Sequence, residues 1–161
     1  MIEQWHGWAH LGYINDSKLL YRWPGVYIIR LIYASSEKPI PIGRFLCIDE
    51  TGTLLIGVSN DLGRRLYDFY YSYLEDRRTH SEGRRLHLVR MLCKFEEEIF
   101  PESSMQFRVR HIPDEEQAKS EEERLLKSYF KRFGELPPLN TMLGKKRVLW
   151  TKTDTETDDP W

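Results

Sequence analysis

Hydrophobic positions along the chain switch between two periods. Val26 to Tyr33, reading VYIIRLIY, is β-branched and aromatic and predicts a strand after the turn at Trp23-Pro24-Gly25. Thr53 to Val58 is a second apolar run, interrupted by Gly57, and a lone glycine in a strand pattern marks a bulge or a close backbone approach. Met105 to Ile112 alternates, with Met105, Phe107 and Val109 against Gln106, Arg108 and Arg110, as a half-buried strand does. Three segments carry the helical period instead. Leu62, Leu66 and Phe69 give residues 62–75 an apolar face, with Ser59, Asn60 and Asp61 as capping residues ahead of it. Leu86, Val89, Met91, Leu92, Phe95 and Ile99 do the same for residues 84–100, which Pro101 ends. Ala118, Leu125, Leu126, Tyr129 and Phe130 mark a helix opened by Pro113-Asp114 and stopped by Gly134.

Between the first two strands, Ser35, Ser36, Pro39, Pro41 and Gly43 make a loop, and Phe45–Ile48 is expected as a short strand. No helix fits there, so the strands form a hairpin or meander, not a βαβ unit. The predicted class is α+β: a small antiparallel sheet of three or more strands flanked by helices. Residues 1–22 read as an aromatic-rich extension, with Trp5, Trp8, Tyr13 and Tyr21 packing over the core or covering a binding face. Residues 23–144 form the main domain, and 145–161 a tail that is basic at Lys145-Lys146-Arg147, then acidic and expected to be disordered.

Composition narrows the function classes only slightly. With 161 residues, the chain is long enough for one domain with a real core. A formal net charge of −1 does not advertise nucleic acid, but the charge is unevenly spread. Residues 64–94 hold eight Arg and Lys against four acids, whereas 114–123 hold six acids and one lysine. Cys47 and Cys93 have neither metal nor disulfide spacing and are expected as buried free thiols in a reducing cytoplasm. The sequence carries no signal-peptide pattern, and no apolar run reaches membrane-spanning length.

One stretch concentrates candidate chemistry. The strand end at Gly57-Val58, the polar turn at 59–61 and the early-helix Arg65 together present a place suited to an anion. Arg64 is a close rival, although it points about 100° away around the helix.

Five ordered pieces resemble the GIY-YIG nuclease superfamily. They are Gly25-Val26-Tyr27, then Leu55-Ile56-Gly57, then Ser59, Asn60, Leu62 and Arg65, then Glu122 ahead of Leu125, Leu126 and Tyr129, and last Pro138-Leu139-Asn140. The resemblance spans about residues 24–140. It implies hydrolysis of a DNA phosphodiester with one divalent ion, Mg²⁺ or Mn²⁺. Under it Glu122 holds the metal, Arg65 stabilises charge on the phosphate, and Tyr27 is the general base or orients the water. A histidine after the arginine helix is also implied, with His80 preferred over His87. Gly25, Gly57 and Asn140 would be structural at the site. Arg64, Arg77, Arg78, Arg84 and Arg85, with Arg90 beside them, would form the surface for DNA backbone. Leu55 stands where the family usually has tyrosine, and Val58 where lysine is frequent. These departures keep a second expectation open: a module of this type that binds DNA or a protein partner without cutting. A third is an unrelated interaction domain using Trp5, Trp8 and Tyr13. Cutting both strands of a duplex would call for a homodimer, for which the sequence reveals no interface.

Overall fold

The computed structural model describes residues 4–17, 21–93 and 104–141. Ten regular elements follow in chain order. They are β1 (Ala9–His10), α1 (Ile14–Ser17), β2 (Gly25–Leu31), β3 (Ile42–Gly43), β4 (Ile48–Asp49), β5 (Thr53–Ser59), α2 (Leu62–Glu75), α3 (Ser81–Cys93), β6 (Met105–His111) and α4 (Glu115–Phe133). The class is α+β. A four-stranded antiparallel sheet runs β1-β6-β2-β5, and β3 pairs with β4 in a separate two-stranded ribbon.

β2 lies between β5 and β6, which explains its nearly unbroken apolar sequence. Its two faces serve two cores. Tyr27, Ile29 and Leu31 face Leu62, Leu66, Phe69, Tyr73 and Leu86 of α2 and α3. Val26 and Ile28, with Ile56 of β5, face Ala118, Leu125, Leu126, Tyr129 and Phe133 of α4. The period-two alternation of β6 sends Met105, Phe107 and Val109 to the first core and its arginines to the other side. Between β2 and β5 the register slips at Ile29/Arg30, opposite Leu55 and Thr53, which leaves Leu54 as the extra residue.

Helix ends follow their caps. Asp61 accepts the Arg64 N–H at 2.9 Å, and Asp114 accepts the Gln117 N–H at 2.8 Å. The Gly134 N–H closes α4 on the Phe130 carbonyl at 2.7 Å.

Several expectations are corrected. Residues 4–17 do more than drape over the domain: β1 extends the sheet beside β6, and Leu11 and Ile14 are fully buried in the first core. Phe45–Cys47 is the bend between β3 and β4, not a strand, because its backbone is turned to meet the end of α4, where the Leu46 N–H donates to Phe133. α3 starts at Ser81 instead of Arg84, and its apolar side is not a core face. Leu86 is buried against α2, whereas Val89, Met91 and Leu92 are exposed. Phe130 is only half-buried, and Phe133 fills the inward position instead. Cys47 is exposed rather than buried. Phe95, Ile99, Lys145-Lys146-Arg147 and the acidic tail lie outside the described residues, as does the side chain of Cys93.

No helix among the described residues is long and apolar enough to cross a membrane.

Candidate active site

Tyr27 and Gly57 are direct cross-strand partners on β2 and β5. The Tyr27 ring lies across the bare Cα of Gly57: a Cβ built there would sit 2.5 Å from both Cζ and Oη of the phenol. Glycine is therefore required by close approach, not by turn geometry. Gly25, at the start of β2, is fixed by a similar constraint. A Cβ there would fall 2.1 Å from the Arg110 carbonyl oxygen of β6.

Four elements converge on the Tyr27 hydroxyl. His80, buried in the turn before α3, brings Nε2 to 3.5 Å from Oη. Arg65, on the exposed first turn of α2, acts on the phenol chiefly through its charge. Glu122 of α4 acts on the same hydroxyl through its charge, as does Glu82 of α3. Burial raises the phenol's pKa far above its ordinary value, Arg65 draws it down, and the two glutamates push it up again.

The His80 ring is held on several sides. Its backbone N–H donates to Ser72 Oγ at 3.0 Å, and its ring meets Phe69 edge-on at 5.2 Å. Nδ1 lies 3.1 Å from Glu82 Oε2 and 3.4 Å from the Gly83 N–H. Both contacts cannot be hydrogen bonds to one tautomer. The carboxylate contact is shorter and charge-assisted, so Nδ1 carries the proton and Nε2 is left as an acceptor facing Tyr27. The hydrogen bond from His80 holds the Glu82 carboxyl down at about 2, well below the usual carboxylate range.

Glu122 has the opposite environment. Burial pushes its carboxyl up to about 7, against the favourable charge of Arg65 and a hydrogen bond from the Val58 backbone. Its neighbour Glu121 faces the other way and accepts from Arg110 at 2.9 Å and from Arg124 at 2.9 Å. No group of three or more His, Cys, Asp or Glu side chains converges among the described residues. A half-buried carboxyl whose ionised form lacks solvation nevertheless suits a Mg²⁺ ion. Mg²⁺ takes one or two carboxylates and completes its shell with water and substrate phosphate.

Asn140 is an anchor for β5. Its Oδ1 accepts the Ile56 N–H at 3.0 Å and its Nδ2 donates to the Ile56 carbonyl at 2.8 Å. The Leu139 N–H adds a bond to Leu54 at 3.0 Å, so residues 138–140 bind the free edge of β5 one residue before Gly57.

Of the sequence-predicted residues, Tyr27 lies over Gly57, and Arg65, His80 and Glu122 act on its hydroxyl. The histidine alternative is resolved by placement: His87 Nδ1 donates to the Tyr73 carbonyl at 2.7 Å, at the end of α2. Arg64 projects outward, with Nε 3.8 Å from Asp68. The anticipated basic surface is largely tied to neighbours. Arg77 pairs with Glu75 at 2.7 Å, Arg84 with Asp76 at 2.9 Å, and Arg85 donates to the Leu139 carbonyl at 3.1 Å. Arg78 is exposed, and Arg90 stacks its guanidinium 5.4 Å from the Tyr73 ring centre. Leu55, where a tyrosine was expected, is buried in the first core.

Glu82 was missed, although it follows His80 by two residues at a helix start. Asp49 was not among the residues singled out from the sequence. It is fully buried and accepts from Tyr129 Oη at 2.7 Å and the Thr51 N–H at 2.8 Å, tying α4 to the β4–β5 turn.

Compared with known proteins, the chain matches no family model, no curated protein and no solved structure.

Proposed function

We propose that the protein is a metal-dependent endonuclease that hydrolyses DNA phosphodiester bonds at the Tyr27–Arg65–His80–Glu122 cluster. The observation that carries this reading is the meeting of those four side chains, from four separate elements, around one buried hydroxyl. Their chemistry divides along the lines of phosphodiester hydrolysis. His80 Nε2 is placed to accept the Tyr27 proton while Glu82 steadies the imidazole through Nδ1. The phenol so activated orients a water and takes its proton. Arg65 supplies a fork of donors to the phosphate oxygens as negative charge builds on them. Glu122 is the residue that would hold Mg²⁺ or Mn²⁺, and a bound ion would neutralise charge on the phosphate and the leaving oxygen. A single carboxylate makes the ion's binding weak until substrate oxygens join it.

The test is nicking of supercoiled plasmid with Mg²⁺ or Mn²⁺, wild type beside Glu122→Ala. Relaxed circles from wild type alone are the expected result. No nicking of plasmid, duplex, branched or single-stranded DNA above that control would remove the enzyme reading.

Leu55 favours one second reading, a module that binds DNA or a partner without cutting. Its buried aliphatic side chain offers no second hydroxyl where the resembling family has one. Salt-sensitive DNA binding without cleavage would select that reading.

A further inference from the structure

The opposite face of the sheet carries a second concentration of charge. Arg30 of β2 and Arg108 and Arg110 of β6 share one side, set by the pairings Arg30↔Gln106, Ile28↔Arg108 and Val26↔Arg110. α4 covers Val26 and Ile28 there, whereas Trp5 and Trp8 lie over the arginines. Arg110 pairs with Glu121. Arg30 and Arg108 pair with no carboxylate among the described residues. Arg30 donates from Nε and Nη2 to the neutral amide oxygen of Gln106, at 3.0 and 2.6 Å. The Arg108 guanidinium lies 4.6 Å from the Trp5 ring centre and 4.7 Å from that of Trp8, and its buried Nε has no hydrogen-bond partner. Trp8 also receives Arg30, at 3.9 Å.

Two guanidiniums are thus held near each other with no anion between them. Indole faces offset part of the repulsion, but they leave the buried Arg108 Nε–H without a partner. Burial and the charge of Arg30 lower Arg108 to about 10, the response of a cation that lacks a counter-charge.

We propose that Arg30 and Arg108, framed by Trp5 and Trp8, form a nucleic-acid contact that grips neighbouring phosphodiester groups of the backbone. Forked guanidinium donors suit phosphate oxygens, and aromatic rings beside them supply a stacking platform for the attached nucleoside. Arg110 ends the row at Glu121, and the next residue of α4, Glu122, acts on the Tyr27 hydroxyl through its charge. With a net charge of −1 the whole chain does not attract polyanions, so attraction of this kind must be local. This contact requires neither cleavage nor a metal ion, so it stands or falls separately from the nuclease reading.

The test is fluorescence anisotropy of a labelled oligonucleotide, single-stranded and as a duplex, with the full chain in EDTA over a series of salt concentrations. Arg30→Gln/Arg108→Gln is expected to weaken duplex binding by roughly tenfold or more at low salt. The same variant should reduce the slope of log K against log salt by about two, one lost phosphate contact per arginine. Lys131→Gln, an exposed charge on the far turn of α4, should change neither. If the double variant fails to fold, Arg30→Gln alone should reduce the slope by about one. An unchanged affinity and slope in a folded variant would overturn the proposal. So would a peptide of residues 151–161 that binds wild type through these arginines while DNA does not, which would assign the face to an acidic segment of the chain. Salt-dependent binding that is lost in the double variant, together with no nicking in the separate plasmid assay in Mg²⁺ or Mn²⁺, would discard the nuclease reading and leave this contact standing.

Discussion

The Tyr27 hydroxyl faces His80 Nε2 at 3.5 Å, while the far nitrogen of the same imidazole lies 3.1 Å from Glu82. The three groups form a directed chain in which the carboxylate fixes the tautomer and the imidazole accepts from the phenol. His80→Gln keeps a polar side chain but removes the acceptor of a mobile proton. It is expected to lower plasmid nicking by about 10²-fold or more. Glu82→Gln leaves the acceptor and loosens its orientation, so a smaller loss, about tenfold, is expected. Wild-type nicking rates in Glu82→Gln would remove that residue from the relay.

The two adjacent arginines of α2 should separate cleanly in the same assay. Arg65 acts through its charge on both the Tyr27 hydroxyl and Glu122, whereas Arg64 reaches toward Asp68 at the helix surface. Arg65→Ala is expected to reduce nicking by about 10²–10³-fold. Arg64→Ala should stay within about threefold, since a single exposed ion pair contributes little. Because both side chains are exposed, both variants should keep the wild-type unfolding free energy to within about 0.5 kcal/mol. The reverse ranking of activities would move the anion site to the other side of the helix.

Local pattern made the frame of the fold legible. The period of two in β6, the caps at Asp61 and Asp114 and the breaker at Gly134 are nearest-neighbour signals, and the corresponding elements lie where those signals put them. Gly57 was legible as a bulge or a close backbone approach, but its partner, the Tyr27 ring on another strand, was not. The outer half of α3 failed for the converse reason. Leu88, Val89, Met91 and Leu92 carry apolar character, but burial depends on what packs against a helix, and of the described apolar side chains of α3 only Leu86 is buried against α2. β1 was missed because a two-residue edge strand has no period to read. At the site, His80 and Glu122 were named through a resemblance, and Arg65 first as an early-helix anion position. Their meeting point depends on three turns and a helix crossing that no short stretch encodes.

Glu122 predicts an unusual pH dependence of stability. Its carboxyl stands near 7 in the folded chain against an ordinary 4.5, because burial disfavours the ionised form. Below pH 4.5 it is protonated in both folded and unfolded chains and costs nothing. Between about 4.5 and 7 the unfolded chain releases the proton and the folded chain retains it, so stability falls as pH rises. Above 7 the loss is complete, on the order of 2–3 kcal/mol. Urea unfolding of Glu122→Gln should therefore match wild type near pH 4.5 and exceed it at pH 8. Parallel curves across that range would place the carboxyl in an ordinary, solvated setting.

Asn140 offers a test of the support beneath the site. Its amide satisfies both backbone groups of Ile56 on the open edge of β5. Asn140→Ala leaves a donor and an acceptor half-buried without these partners. The expected cost is about 1–3 kcal/mol, measured by chemical denaturation. Nicking should fall further than the lost stability explains, because Gly57 follows Ile56 directly and carries the Tyr27 ring. Activity retained in full by the folded variant would make Asn140 a structural residue alone.

The contact between Gly57 and Tyr27 can be isolated by a double-mutant cycle. Gly57→Ala forces a methyl group to within 2.5 Å of the phenol Cζ and Oη, and the ring lies in a buried, filled core with little room to withdraw. Overpacking of this kind typically costs about 1–3 kcal/mol. The displaced hydroxyl would also leave His80 and Arg65, so nicking should be lost with the stability. In a Tyr27→Leu background the obstructing ring is gone, and Gly57→Ala should cost under about half as much. That coupling identifies the clash as the cause. An undiminished cost would instead trace the glycine to the backbone of β5, and the site's geometry would then not depend on the absence of a side chain at position 57.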